Sequence, residues 1–275
     1  MTTSSLFKRT TLACGLALLA PLAAWSQVSL SITVAPPALP LYAQPPIPGD
    51  GYLWTPGYWA WDPGSGEYYW VPGTWVQPPE PGFLWTPGYW GFIGGVYSWH
   101  HGYWGNHVGY YGGLNYGYGY TGSGYSGGRW DHGHLRYNNA VNNLPPGRVH
   151  DVYHAAVPSR PAAREGYTGG PSHYRGPSAG ERRVEADRHG DPTPEQAEHE
   201  HRAMGIPDQR MSNAHGAPFT AATPRPGGFG EPGAEHVRAA PEMHGPQGGA
   251  RPQGAPQARP QGHPGGGGGG HEEHH

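Results

Sequence analysis

The sequence predicts a small all-β domain, an antiparallel meander of aromatic hairpin repeats, followed by a largely disordered Gly/Pro/His-rich tail with one or two short helices. Three observations predict it. Gly and Pro contribute 48 and 33 of the 275 residues, types that interrupt helices and central strands. Leu, Ile, Val and Phe together make up about 13%, below the roughly 20% at which disorder becomes the expectation. Against this stand 11 Trp and 18 Tyr. Every Trp except Trp25 falls between Trp54 and Trp130, so one aromatic domain is expected, with a polar low-complexity stretch behind it.

At the N-terminus, Lys8 and Arg9 precede an apolar run from Leu12 to Ala24, closed by Ala24-Trp25-Ser26. Residues 1–26 therefore read as a signal peptide cut before Gln27. The run is too short to span a bilayer and contains Pro21, so no transmembrane helix is expected after cleavage. The destination expected is the periplasm or the outer envelope and beyond. Cys14 leaves with the leader, and Lys8 is the only lysine. Disulfide, thiolate and Schiff-base chemistry are thereby excluded from the mature chain. That chain keeps 15 basic residues against 20 acidic ones and concentrates no basic surface, so nucleic acid is not an expected partner. Residues 27–51 read as a Pro-rich extended segment.

Residues 52–106 form the repeat domain. Four copies of W-x-x-G-x-W occur: Trp54-Thr-Pro-Gly57-Tyr-Trp59, Trp70-Val-Pro-Gly73-Thr-Trp75, Trp85-Thr-Pro-Gly88-Tyr-Trp90 and Trp99-His-His-Gly102-Tyr-Trp104. Pro then Gly at the two central positions is the pattern of a type II turn, with Gly supplying positive φ. A turn in each copy sets Trp54 opposite Trp59, Trp70 opposite Trp75, Trp85 opposite Trp90 and Trp99 opposite Trp104. Across the links between copies, Trp59 faces Trp70, Trp75 faces Trp85 and Trp90 faces Trp99. One side of the meander is then aromatic, and the other carries Leu53, Ala60, Tyr69, Val76, Leu84, Gly91, Ser98 and Gly105. Type II turns fit the twist of tight hairpins poorly, so looser corners or an extended coil stand as alternatives. The indoles represent on the order of 1,400–2,200 Å², far beyond the few hundred Å² a soluble monomer exposes. They are either core or a partly open binding strip.

Residues 107–157 read as the completion of this domain. Tyr116, Tyr118 and Tyr120 alternate with Gly and are placed to cover the aromatic face; a flexible Gly-rich loop is the alternative reading. Arg129-Trp130 and the Asn-rich run Arg136 to Asn143 finish it. Four W-x-x-G-x-W units, the Tyr/Gly run from His107 to Tyr120, Arg136-Tyr-Asn-Asn139 and Ala221-Ala-Thr-Pro-Arg-Pro226 together resemble the bacterial YXWGXW (WXXGXW) repeat-containing exported proteins. The resemblance spans roughly residues 27–230 and implies an envelope protein of unestablished activity, without catalytic residues. The chain departs from the family pattern where Gly169-Gly-Pro171 is followed by Ser-His-Tyr.

Residues 158–275 read as the disordered low-complexity tail. Two short helices are predicted in it, one capped by Ser178 with Glu181 three residues later and stopped at Gly190, the other capped by Thr193 with Pro194 and Gln196 and stopped at Gly205. Neither has an apolar stripe, so fraying is expected.

Asp50, Asp62, Glu67, Glu80, Asp131 and Asp151 are the only acids before Tyr153, and turn roles account for those beside Pro-Gly. No nucleophile, metalloprotease or phosphate-loop signature is present, so no enzyme is expected. The expected function is that of a non-enzymatic envelope structural or binding protein, with Trp54, Trp59, Trp70, Trp75, Trp85, Trp90, Trp99 and Trp104 as the candidate aromatic surface for a polysaccharide or for self-association. The alternative is weak buffering of Zn, Cu or Ni by His199, His201, His271, His274 and His275, whose spacing defines no tetrahedral site.

Overall fold

The computed structural model describes residues 31–157, 165–169 and 175–236; the expected signal peptide, with Cys14, lies outside them. After a short strand β1 (Ser31–Ile32), two ribbons follow. The first is built from β2 (Leu53–Thr55), β3 (Tyr58–Asp62), β4 (Glu67–Val71) and β5 (Gly73–Val76), the second from β6 (Leu84–Thr86), β7 (Tyr89–Ile93), β8 (Val96–His100) and β9 (Tyr103–Gly105). The repeat region is thus β hairpins in small sheets, the predicted fold class.

The hairpins reverse in a different place from the one expected. Leu53, Trp54 and Thr55 pair with Val76, Trp75 and Thr74, and Tyr58 to Asp62 pair with Val71 to Glu67. The second ribbon repeats this, with Leu84 to Thr86 on Gly105 to Tyr103 and Tyr89 to Ile93 on His100 to Val96. Register runs unbroken through each ribbon, so the chain does not fold back at W-x-x-G-x-W. Trp54 pairs with Trp75 rather than Trp59, and Trp85 with Trp104 rather than Trp90. The expected facings Trp70–Trp75, Trp75–Trp85 and Trp99–Trp104 are likewise not formed, whereas Trp59–Trp70 and Trp90–Trp99 are.

Backbone geometry explains the difference. None of Gly57, Gly73, Gly88 and Gly102 has positive φ, so no type II turn forms there. Reversal occurs instead between motifs. Gly94 and Gly95 both have positive φ, 65° and 88°, the signature of a two-residue turn whose twist matches its strands. In the first ribbon Asp62 closes the loop, its Oδ1 accepting from Gly64 N–H (2.8 Å) and its Oδ2 from the Ser65 hydroxyl (2.8 Å). Each Pro-Gly becomes a corner midway along a strand, where Pro interrupts the ladder and Gly admits the opposite backbone. Face alternation is as expected: Leu53 pairs with Val76, Ala60 with Tyr69, Leu84 with Gly105 and Gly91 with Ser98.

The 107–157 segment contributes β10 (Asn115–Gly117) with β11 (Tyr120–Thr121), and β12 (Gly128–Asp131), β13 (His134–Asn138) and β14 (Val152–Tyr153) in a three-stranded sheet. It closes the aromatic core rather than looping away from it. The Tyr116 hydroxyl donates to Gly88 O (2.7 Å) and Tyr120 to Trp85 O (3.0 Å). Asn138 is the hub of the Asn-rich run, donating to Ser126 O and Ala155 O and accepting from the amides of Ala140 and Ala155. On the other side the Pro-rich segment lies against the ribbons, where Ala38 O and Pro45 O accept from the indoles of Trp59 and Trp75.

Beyond residue 158, the described residues 165–169 and 175–236 carry further elements that pair with and pack on the ribbons. β15 (Tyr167–Thr168) runs parallel to β7. α1 (Ala179–Glu185) and α2 (Pro194–Gly205) begin at the predicted caps, each with a complete capping box on Ser178 or Thr193. After the short helix α3 (Met211–Ala214), β16 (Thr220–Thr223) lies parallel to β5, with Ala222 opposite Gly73, and pairs with β17 (Glu235–His236). Packing supplies what composition did not show. α2 places Ala203 against Ala60, Tyr69 and Val71 on the outer face of the first ribbon, and all four residues of β16 are buried.

Candidate aromatic site

Each ribbon sets two motifs antiparallel, and the four resulting Trp pairs are nearly equivalent. Ring centroids are 5.3 Å apart in Trp54–Trp75, Trp59–Trp70 and Trp90–Trp99, and 5.2 Å in Trp85–Trp104, with interplanar angles from 50° to 68°. These are the tilted and edge arrangements that aromatic quadrupoles favour. The first Trp of each motif covers the Gly of its partner motif. A Cβ on Gly57 would lie 2.4 Å from Trp70 Cζ2, on Gly73 2.5 Å from Trp54, on Gly88 2.6 Å from Trp99 and on Gly102 2.5 Å from Trp85. Spacing and residue type follow directly: two apolar planes flank a position that tolerates no side chain.

A model of the WXXGXW repeat matches residues 49–76 and 81–104. This chain carries two WXXGXW repeats. Each matched copy spans one ribbon, so one WXXGXW repeat is a pair of motifs with the reversal between them. No curated protein and no solved structure matches the chain.

The eight candidate tryptophans of the WXXGXW repeats do not form an open strip. Trp54, Trp59, Trp70, Trp75, Trp85, Trp90 and Trp104 are all 6% exposed or less; they are core. Five of their N–H groups donate internally, among them Trp90 to Trp59 O (2.8 Å), Trp70 to Ala221 O (3.0 Å) and Trp104 to Gln196 Oε1 (2.8 Å), besides Trp59 and Trp75. Trp54 Nε1 is buried with no acceptor among the described residues. Trp99 is the exception. Its counterpart Trp70 is sealed by β16, whereas Trp99 stays half-buried, stacked on Tyr58 at 5.1 Å and donating to His101 Nδ1 (3.2 Å).

Trp99 borders a cleft of about 60 Å³ between the ribbons at their corners. Tyr58, Trp85, Tyr116 and Pro72 form other walls, and α2 contributes Gln196 and Glu200. Glu200 Oε1 accepts from the Tyr69 hydroxyl (3.4 Å). Burial, and then the Glu200 charge, push the Tyr58 phenol well above its ordinary range, so it stays protonated. Glu200 and Tyr58 are not singled out by sequence reasoning. Tyr58 fills a variable position of the first motif and Glu200 lies in none, and they meet only because α2 docks on the first ribbon.

The metal candidates separate. His199 is buried, with Nε2 donating to Pro72 O (2.9 Å) and Nδ1 accepting from Gly227 N–H (2.9 Å). Both ring nitrogens are engaged, and desolvation pulls its pKa down to about 4. His201 is exposed on another side of α2, so the two do not converge. His271, His274 and His275 lie outside the described residues. Among the described residues no group of three or more His, Cys, Asp or Glu is placed to hold a metal ion, and no helix is long and apolar enough to cross a membrane.

Proposed function

We propose that this chain is a non-enzymatic, exported envelope protein that acts as a rigid binding module, by self-association or by holding an envelope polysaccharide. The observation that carries the reading is the use of the repeat indoles as core: the motif builds a stiff aromatic scaffold in a mature chain without cysteine. Contact with a partner then falls to half-buried rings at the surface, Trp61, Trp99 and Trp130, rather than to all eight repeat tryptophans. The acids support a structural role. Asp62 and Glu67 hold Arg210, Asp131 holds Arg136, Glu80 lies 3.5 Å from Arg188, and Asp50 pairs with His150.

Sedimentation velocity and Trp fluorescence on residues 27–275, with and without isolated envelope polysaccharide, test the binding role. Assembly beyond a monomer or a saturable fluorescence change is expected. A monomer indifferent to the polysaccharide overturns it. Fractionation of cells producing the full chain tests export, with processing before Gln27 read by mass spectrometry; an unprocessed chain confined to the cytoplasm removes that part.

A further inference from the structure

The cleft between the ribbons carries a second inference, independent of the envelope reading. Aromatic rings and prolines make up much of its wall, with Thr55, Thr74, His101, Gln196 and His199 between them, and Glu200 is the one lining residue with a formal charge at neutral pH. No guanidinium or ammonium lines it; the carboxylate accepts from the Tyr69 hydroxyl at 3.4 Å, and its charge bears on the neighbouring Tyr58 phenol. A half-buried carboxylate facing aromatic surface creates a negative potential from two sources, the ionic charge and the ring quadrupoles. Anions are repelled there, and a neutral ligand leaves that potential unused. A metal ion wants several oxygen or nitrogen ligands converging on it, and among the described residues no three His, Cys, Asp or Glu side chains are placed to hold one. A weakly hydrated organic cation fits both sources at once. Size agrees: about 60 Å³ compares with the roughly 10–15 Å³ that one water requires, enough for a compact polyatomic head.

We propose that this cleft binds a methylated or quaternary ammonium group, with Trp99, Tyr58, Trp85 and Tyr116 as its cage and Glu200 as its counter-ion. Trp99 is then the repeat indole left uncovered because it faces ligand, where β16 covers its counterpart Trp70.

The test is titration of residues 27–275 with tetramethylammonium and choline, followed by Trp fluorescence and by the indole N–H resonance of Trp99. The neutral isostere 3,3-dimethylbutan-1-ol is run alongside. A saturable response to the cations is expected, with the isostere binding at least about fivefold more weakly. Glu200→Gln is expected to weaken cation binding by a similar factor while leaving isostere binding unchanged, and Trp99→Phe to weaken it less. Equal affinity for cation and isostere in the unmodified chain overturns the proposal, as does the absence of any saturable response to the cations. The isostere comparison decides even if a variant fails to fold, because it uses the native protein.

Discussion

Gly57, Gly73, Gly88 and Gly102 sit under indoles of the opposite strand and against its backbone, and their role is space rather than φ. A methyl group on Gly57 would lie 2.4 Å from Trp70 Cζ2, 2.7 Å from Gly73 N and 2.8 Å from Val71 O. Two of those three contacts are backbone, so the ribbon must open. Gly57→Ala is expected to lower unfolding free energy by about 3 kcal/mol or more, read from urea denaturation. Gly205→Ala is the control. It lies at the end of α2 with nothing within 4 Å of the new methyl, so a gain of up to about 1 kcal/mol is expected from helix propensity. The pattern Trp, two residues, Gly, one residue, Trp was legible as an aromatic repeat; that its Gly supplies space under an indole rather than positive φ was not. Nor was the choice between turn and corner, because Pro-Gly is compatible with both until the opposite strand is known.

At the scale of elements, the C-terminal segment shows where composition misleads. The caps of α1 and α2 were readable from Ser178, Glu181, Thr193 and Gln196, since a capping box is a local device. Docking was not readable, because α2 buries only His199 and Ala203 and β16 reads Thr-Ala-Ala-Thr, without a large apolar residue. What holds them is polar and remote. Arg210 reaches Asp62 (3.1 Å), Ser65 (2.7 Å) and Glu67 (3.3 Å) on the reversal of the first ribbon and Met204 O (3.0 Å) behind it. Gln209 bonds Thr220 O (2.7 Å) and accepts from Thr220 N–H (3.1 Å). Arg210→Ala is expected to cost about 1–3 kcal/mol and to speed amide exchange in residues 211–223 relative to the ribbons, seen by hydrogen-exchange mass spectrometry. Uniform exchange across both regions would show that the latch is not what keeps β16 in place.

For the whole molecule, His199 couples stability to acidity. Buried among Pro72, Gly227 and the Phe229 ring at 4.8 Å, it stays neutral in the folded chain until about pH 4, whereas the unfolded chain takes up the proton near 6.5. Between those values the unfolded state binds more protons, so stability falls as pH drops from 6.5 toward 4 and the loss levels off below. The window corresponds to about 3 kcal/mol, and Arg202 is the charged neighbour that adds to the depression. Urea midpoints from pH 7 to 4 are expected to decline in the native protein and to be flatter in His199→Gln, whose amide can both donate and accept. Parallel slopes in the two would assign the acid limb to the carboxylates of Glu181, Asp62 and Glu67, which ionise below their ordinary range and matter chiefly at lower pH.

Because a motif is completed only by a second one running the other way, growth of such a chain is quantised. Inserting a lone six-residue unit would strand an indole pair without its other half, while duplicating a stretch the length of 49–76 would add a self-sufficient rung. Related chains that differ in size are therefore expected to carry even numbers of these units, and an odd count would mark a place where two molecules share one ladder.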